Sequence, residues 1–157
     1  MPIPKPISYQ SIVKAFSKVL RREFGIDVRA TSTKQTSGEP CFYIDIINPK
    51  IINAGIGMVE HNLIVSIKYF GTGDKMKLYD IGNKLQGLFS RYIQVENKKI
   101  LLPQNDINFL EDNYGEYLDF LINLSYYDVA PKTLEEIEEE AKLEIMREVQ
   151  INREVIK

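Results

Sequence analysis

Residues 58–70 constrain the fold most, because a two-residue period runs through them, with Leu63, Val65, Ile67 and Tyr69 on one side and Asn62, Ser66 and Lys68 on the other. Only a strand in a sheet with one buried face satisfies such a pattern. Residues 41–47 alternate in the same way, Phe42, Ile44 and Ile46 against Tyr43, Asp45 and Ile47, and are expected to pair with 58–70 in antiparallel fashion. Residues 107–111 and 117–128 form a final antiparallel pair around Asp112-Asn113-Tyr114-Gly115, and Leu118, Phe120, Ile122, Leu124 and Tyr126 share a face of its second strand.

Two helices are predicted to cover that sheet. Ser8 is placed to cap the first, whose apolar residues Ile12, Ala15, Phe16, Val19, Leu20 and Phe24 recur at helical spacing, and Gly25 closes it as a left-handed cap. Its opposite side carries Lys14, Lys18, Arg21 and Arg22, read as a solvated basic face. The second helix follows a break at residues 71–74, is capped by Thr72 or Asp74, and aligns Leu78, Ile81, Leu85, Leu88, Phe89 and Tyr92. Gly82 and Gly87 each weaken it by about 1 kcal/mol relative to Ala, so close packing on the sheet is expected at both. A short strand at 27–31, a polar turn at 32–39 and a small hairpin at 93–102, with Glu96-Asn97 at its tip and Asn97 as the residue suited to positive φ, complete the body. The predicted class is α+β: a single antiparallel sheet covered on one face by two helices, with a C-terminal helical extension.

Two segments carry apolar residues that this core does not need. The connection 48–57 contains Pro49, Gly55 and Gly57 but also Ile51, Ile52 and Ile56, which predicts a protruding hairpin tip or arm. Residues 131–157 carry eight Glu against five Lys or Arg, while residues 1–130 are nearly neutral. Thr133 and Glu136 match a capping box, and Leu134, Ile137, Ala141 and Ile145 form a narrow stripe. Such a stripe either folds back on its own domain or contacts another subunit. The chain thus divides into a body, 1–130, and an acidic helical extension, 131–157. Ile51, Ile52, Ile56, Leu134, Ile137, Ala141 and Ile145 are the candidate interface residues.

Chemistry has little to work with. His61 is the single histidine and lacks a serine nucleophile motif, so a satisfied or surface histidine is expected; Cys41, also single, reads as a small buried hydrophobe. Gly71-Thr-Gly-Asp-Lys75 joins strand to helix but lacks the spacing and hydroxyl of a phosphate loop. Glu111, Asp112 and Glu116 cluster at a turn without a metal-ligand spacing, and the Glu-rich patch at 135–140 reads as a solvated face. No catalytic, cofactor or metal site is predicted. Neither part has the basic excess of a nucleic-acid binder, and no stretch is apolar enough for a signal peptide or a membrane span, so a soluble protein made in the cytoplasm is expected.

The strand at 40–45, the long strand through 65–70, the helix at 78–89, the Lys99-Ile-Leu-Leu-Pro103 strand and the closing strand at 117–127, followed by a Glu-rich helix, resemble in their order the tail terminator proteins of phages and phage-like particles. The resemblance spans roughly residues 8–150. It implies a small α+β subunit, without catalytic residues, that forms a ring, typically a hexamer, on the last ring of the tail tube protein. That ring stops growth and presents a surface to the neck or head-tail connector protein. In contractile tails it also holds the last ring of sheath protein, and DNA passes through the lumen without specific recognition. The implied location is the tail-neck junction of a virion assembled in the host cytoplasm. Two alternatives stay open: another neck or tail-completion protein of the same particle, or a small cytoplasmic ligand-binding enzyme domain using 71–75 or 111–116.

Overall fold

A computed structural model describes residues 5–30, 40–71, 74–113 and 115–155. Its centre is β3 (Met58–Phe70), hydrogen-bonded on one side to β2 (Cys41–Gly55) and on the other, along its whole length, to β7 (Gly115–Val129). Outside these lie β1 (Asp27–Arg29) and β6 (Gln104–Asp112), giving the order β1-β2-β3-β7-β6. The expected alternation holds, since Leu63, Val65, Ile67, Tyr69, Leu118, Phe120, Ile122 and Leu124 are all buried on one face.

The sheet is not the single antiparallel one expected. β1 runs parallel to β2, with Asp27 beside Cys41 and Arg29 beside Tyr43. Alternation says which side chains share a face, and is silent on strand direction. A second sheet is separate: β4 (Tyr92–Val95) and β5 (Lys98–Leu101) form an antiparallel hairpin that packs between the first helix and β7, burying Ile93, Val95, Ile100 and Leu102. At its tip the positive φ belongs to Glu96 (52°), not to Asn97. The Glu96 carboxylate accepts from Ser11 Oγ at 2.7 Å, and its carbonyl accepts from Gln94 Nε2 at 2.9 Å, which offsets the strain.

Helix α1 (Tyr9–Phe24) lies over β1 and β2 and buries Ile12, Phe16 and Leu20. Both predicted caps form: Ser8 Oγ accepts from Ser11 N at 3.1 Å, and Gly25, at φ 64°, donates its N–H to Arg21 O. Helix α2 (Lys75–Leu88) covers β6 and β7 and is capped by Asp74, which accepts from Met76 N at 3.0 Å. Thr72, the other proposed cap, lies outside the described residues, as does the turn at 32–39. Gly82 fits the close-packing expectation: a Cβ there would sit 3.1 Å from Ile107 Cδ1 and Leu118 Cδ1. Gly87 does not, because nothing approaches its Cβ position within 4 Å. Tyr92 leaves the helical stripe altogether, since α2 stops at Leu88 and Tyr92 opens β4 with its ring exposed.

One buried carboxylate ties the lower end of the body together. Asp128 on β7 accepts from Ile7 N at 2.6 Å, from Lys98 Nζ at 3.2 Å and from Val129 N at 2.8 Å, so the segment before α1, the small hairpin and the last core strand meet at one side chain. Beyond it, α3 (Leu134–Val155) begins with the predicted capping box, Glu136 N donating to Thr133 Oγ1 (3.2 Å) and Thr133 N to Glu136 Oε2 (3.3 Å).

Candidate assembly surfaces

The arm expected at 48–57 is a continuation of the sheet rather than a loop. After a bulge between Ile47 and Lys50, where Asn48 takes φ 49°, β2 resumes its pairing with β3 and runs to a turn at Ile56-Gly57. Pro49 is tolerated because β1 pairs only with Cys41–Tyr43, which leaves the rest of β2 an edge strand among the described residues. The bulge adds one residue to β2 and so exchanges its faces. Ile51 consequently pairs with His61 on the core side and Ile52 with Glu60 on the outer side, while Ile56 stands fully exposed at the turn. The three isoleucines share the arm but point in different directions, and all are exposed.

His61 seats the arm on the body. Its ring stacks on Tyr126 at 4.9 Å, meets Tyr9 edge-on at 5.9 Å, and shares a 3.5 Å hydrogen bond between Nδ1 and Tyr9 Oη. Burial pushes the Tyr126 hydroxyl well above its ordinary range, with smaller contributions in the same direction from Tyr9 and Asp128. This is a satisfied structural histidine. Cys41 is likewise buried, and burial raises its thiol pKa against the opposing pull of Arg29, which makes it a poor nucleophile. Among the described residues no group of His, Cys, Asp or Glu could hold a metal ion, and no helix is long and apolar enough to cross a membrane. Glu111 and Glu116 are cross-strand partners in the β6–β7 register, at the turn end of that hairpin.

The second predicted surface is α3. None of its residues described at side-chain level is buried, so Leu134, Ile137, Ala141 and Ile145 all face solvent, and Val149 extends their stripe by one turn. The two surfaces meet through the chain. Val129 pairs with Met58, and Ala130 donates its N–H to Gly57 O at 2.9 Å, so α3 departs within four residues of the arm tip.

A third surface escaped the sequence reading. Between α1 and the junction of α2 with β4 runs an open groove of about 740 Å³, walled by Ala15, Val19, Leu88 and Tyr92 and rimmed by Lys18, Arg22 and Arg91. Lys99 Nζ lies over the Tyr92 ring at 4.8 Å and adds a fourth cation. By helical spacing alone Lys18 and Arg22 belong to a solvated face. The half-burial of Ala15 and Val19 between them is what turns that face into a groove, and the sequence signal was their place at one margin of the α1 stripe. On the sheet face away from the helices, half-buried Tyr43, Phe70 and Tyr117 are in ring contact at 6.3 and 5.1 Å.

A family model described as "Phage tail terminator protein" matches residues 11–136, from α1 through the first residues of α3. Comparison with curated proteins gave no match. Among solved structures, one whose name states no function is 16% identical, with a TM-score of 0.44, and covers 80% of this chain and 98% of its own length. A likeness at that level carries no weight for function.

Proposed function

This chain belongs to the phage tail terminator family, and from that premise we propose that it forms a ring on the end of the tail tube, ends tube polymerisation and offers a docking surface to the neck or head-tail connector. Membership makes it a structural tail component, and virion location follows at that coarse level. The observation that carries the finer reading is the surplus of exposed apolar side chains in the arm and α3, set on a body whose core is complete without them. A subunit whose head-to-tail contacts repeat around a rotation axis closes into a ring. If only one ring face matches the growing tube end, addition of the next layer stops.

We assign residues 1–130 to the ring-forming body and 131–157 to an extension that makes contacts. Ile51, Ile52 and Ile56 on the arm, and Leu134, Ile137, Ala141 and Ile145 on α3, carry those contacts to like copies, tube protein, connector or, in a contractile tail, sheath. A hexamer is the expected number, with DNA crossing the lumen unread, and the role needs no catalysis. The test is the mass of the purified protein, with electron microscopy in the presence and absence of tail tubes. Rings seated on tube ends support the reading. A monomer that ignores tubes, free and at high concentration, overturns it.

A further inference from the structure

We propose that the basic groove between α1 and the α2–β4 junction receives the acidic helix α3 of a second copy of this chain, which makes α3 the strap that joins neighbours head to tail. The inference rests on the ring reading above. The family match stops at Glu136, so most of the α3 stripe lies outside the part of the chain that the family model describes.

Three features match the two surfaces. The groove has an apolar wall, Ala15, Val19, Leu88 and Tyr92, of the kind that takes an amphipathic helix, and α3 offers Leu134, Ile137, Ala141 and Ile145 along one side with no cover of its own. Their charges are opposite. Lys18, Arg22 and Arg91 rim the groove with no acidic residue lining it, whereas helical spacing sets Glu138 and Glu144 on the two margins of the α3 stripe and Glu148 in line with it, about one turn past Ile145. Among the described residues neither Lys18 nor Arg91 makes an ion pair, and Arg22 reaches only its neighbour Glu23, at 3.5 Å.

The reach of the chain decides which copy supplies the helix. Ala130 is held at the level of Met58, while the end of the groove nearest α2 lies at the level of Phe89, whose ring meets Phe120, the partner of Ile67 on β3. From Met58 to Ile67 the strand rises about 30 Å. Four residues of linker span at most ~14 Å, and the helical rise from Leu134 to the middle of the stripe adds about 8 Å. The middle of the stripe therefore falls short of that level and only the turn at Ile145 reaches it; within its own chain α3 stays exposed, so another subunit's groove is the one that can seat the whole stripe.

Charge reversal tests this. One variant carries Lys18→Glu, Arg22→Glu and Arg91→Glu; a second carries Glu138→Lys, Glu144→Lys and Glu148→Lys. All six positions are exposed, so both variants keep the fold, which circular dichroism checks. Self-association is measured by sedimentation of the full chain, free and as the mass of the cap on tail tubes. Each variant alone should associate at least about tenfold more weakly than the wild type, or ~1.4 kcal/mol. An equal mixture should recover, because every contact in an alternating ring then joins opposite charges. Recovery on mixing also excludes docking within one chain. Undiminished oligomers from both variants overturn this inference and leave the ring reading standing. Loss without recovery on mixing overturns it too. A wild type that neither associates nor caps tubes removes the ring reading itself.

Discussion

Replacing Asp128 by Ala removes the one side chain that joins the segment before α1, the β4–β5 hairpin and the end of β7. Its carboxylate is only 2% exposed, but Lys98, its ionic partner, is 47% exposed. A half-exposed ammonium returns to water when its partner goes, so the ion pair itself accounts for under about 1 kcal/mol. The larger loss comes from the backbone donors. Ile7 N–H, at 2.6 Å from Oδ2, belongs to a buried residue, and stranding it costs roughly 1–3 kcal/mol; Val129 N–H, part-buried, adds about 1 kcal/mol. Asp128→Ala is thus expected to destabilise by about 2–4 kcal/mol, and Lys98→Ala by under ~1 kcal/mol. Urea unfolding at fixed protein concentration measures both, with hydrogen exchange at the Ile7 amide reporting release of the N-terminal segment. Equal losses in the two variants would refute the assignment of stability to the amide contacts. An Ile7 amide still protected in Asp128→Ala would refute it as well.

Four further outcomes follow from the same geometry. Gly87→Ala should stabilise by up to about 1 kcal/mol, since its Cβ meets nothing, whereas Gly82→Ala should gain little or lose, because the methyls of Ile107 and Leu118 must yield; thermal unfolding separates the two. Cys41, Tyr69 and Tyr126 should leave stability unaffected below about pH 9, the ordinary value for Cys41 being 9.0 and for the two tyrosines 10.0. Burial raises all three, so the folded chain keeps protons that the unfolded chain releases, and stability falls as pH climbs above those ordinary values. Tyr126→Phe should lessen that alkaline fall; an unchanged pH profile would contradict it. Removing residues 131–157 should leave the unfolding midpoint of the body almost unchanged, since no described α3 side chain is buried, while Ile51→Lys with Ile52→Lys should shift stability by no more than about 0.5 kcal/mol yet weaken tube capping.

Much of this fold is written in local patterns. The period-two runs of β3 and β7 give their faces, Ser8 and Gly25 give the ends of α1, and Thr133 with Glu136 gives the start of α3, because each signal lies in a few neighbouring residues. What escaped depends on partners distant in sequence. The parallel direction of β1 shows only in its register against the start of β2, and the extension of β2 past Pro49 requires β3 alongside to absorb a bulge. Glycine shows the same limit: Gly82 and Gly87 look alike in sequence, and only the proximity of Ile107 and Leu118 distinguishes them. Of the candidate surfaces, the arm and the α3 stripe were legible as apolar residues without a place in the core. The groove was not, since its walls come from α1 and from Leu88 to Tyr92, brought together only by the packing of both on the sheet.

The central claim is that this subunit ends tube growth, and the most direct measurement follows tubes that are offered fresh tube protein after exposure to the purified chain. Electron micrographs should show pre-existing tubes that bear a ring at one end and no longer lengthen from it, while untreated tubes continue to grow. Tubes that lengthen equally in both samples, with no added density at their ends, would contradict the account.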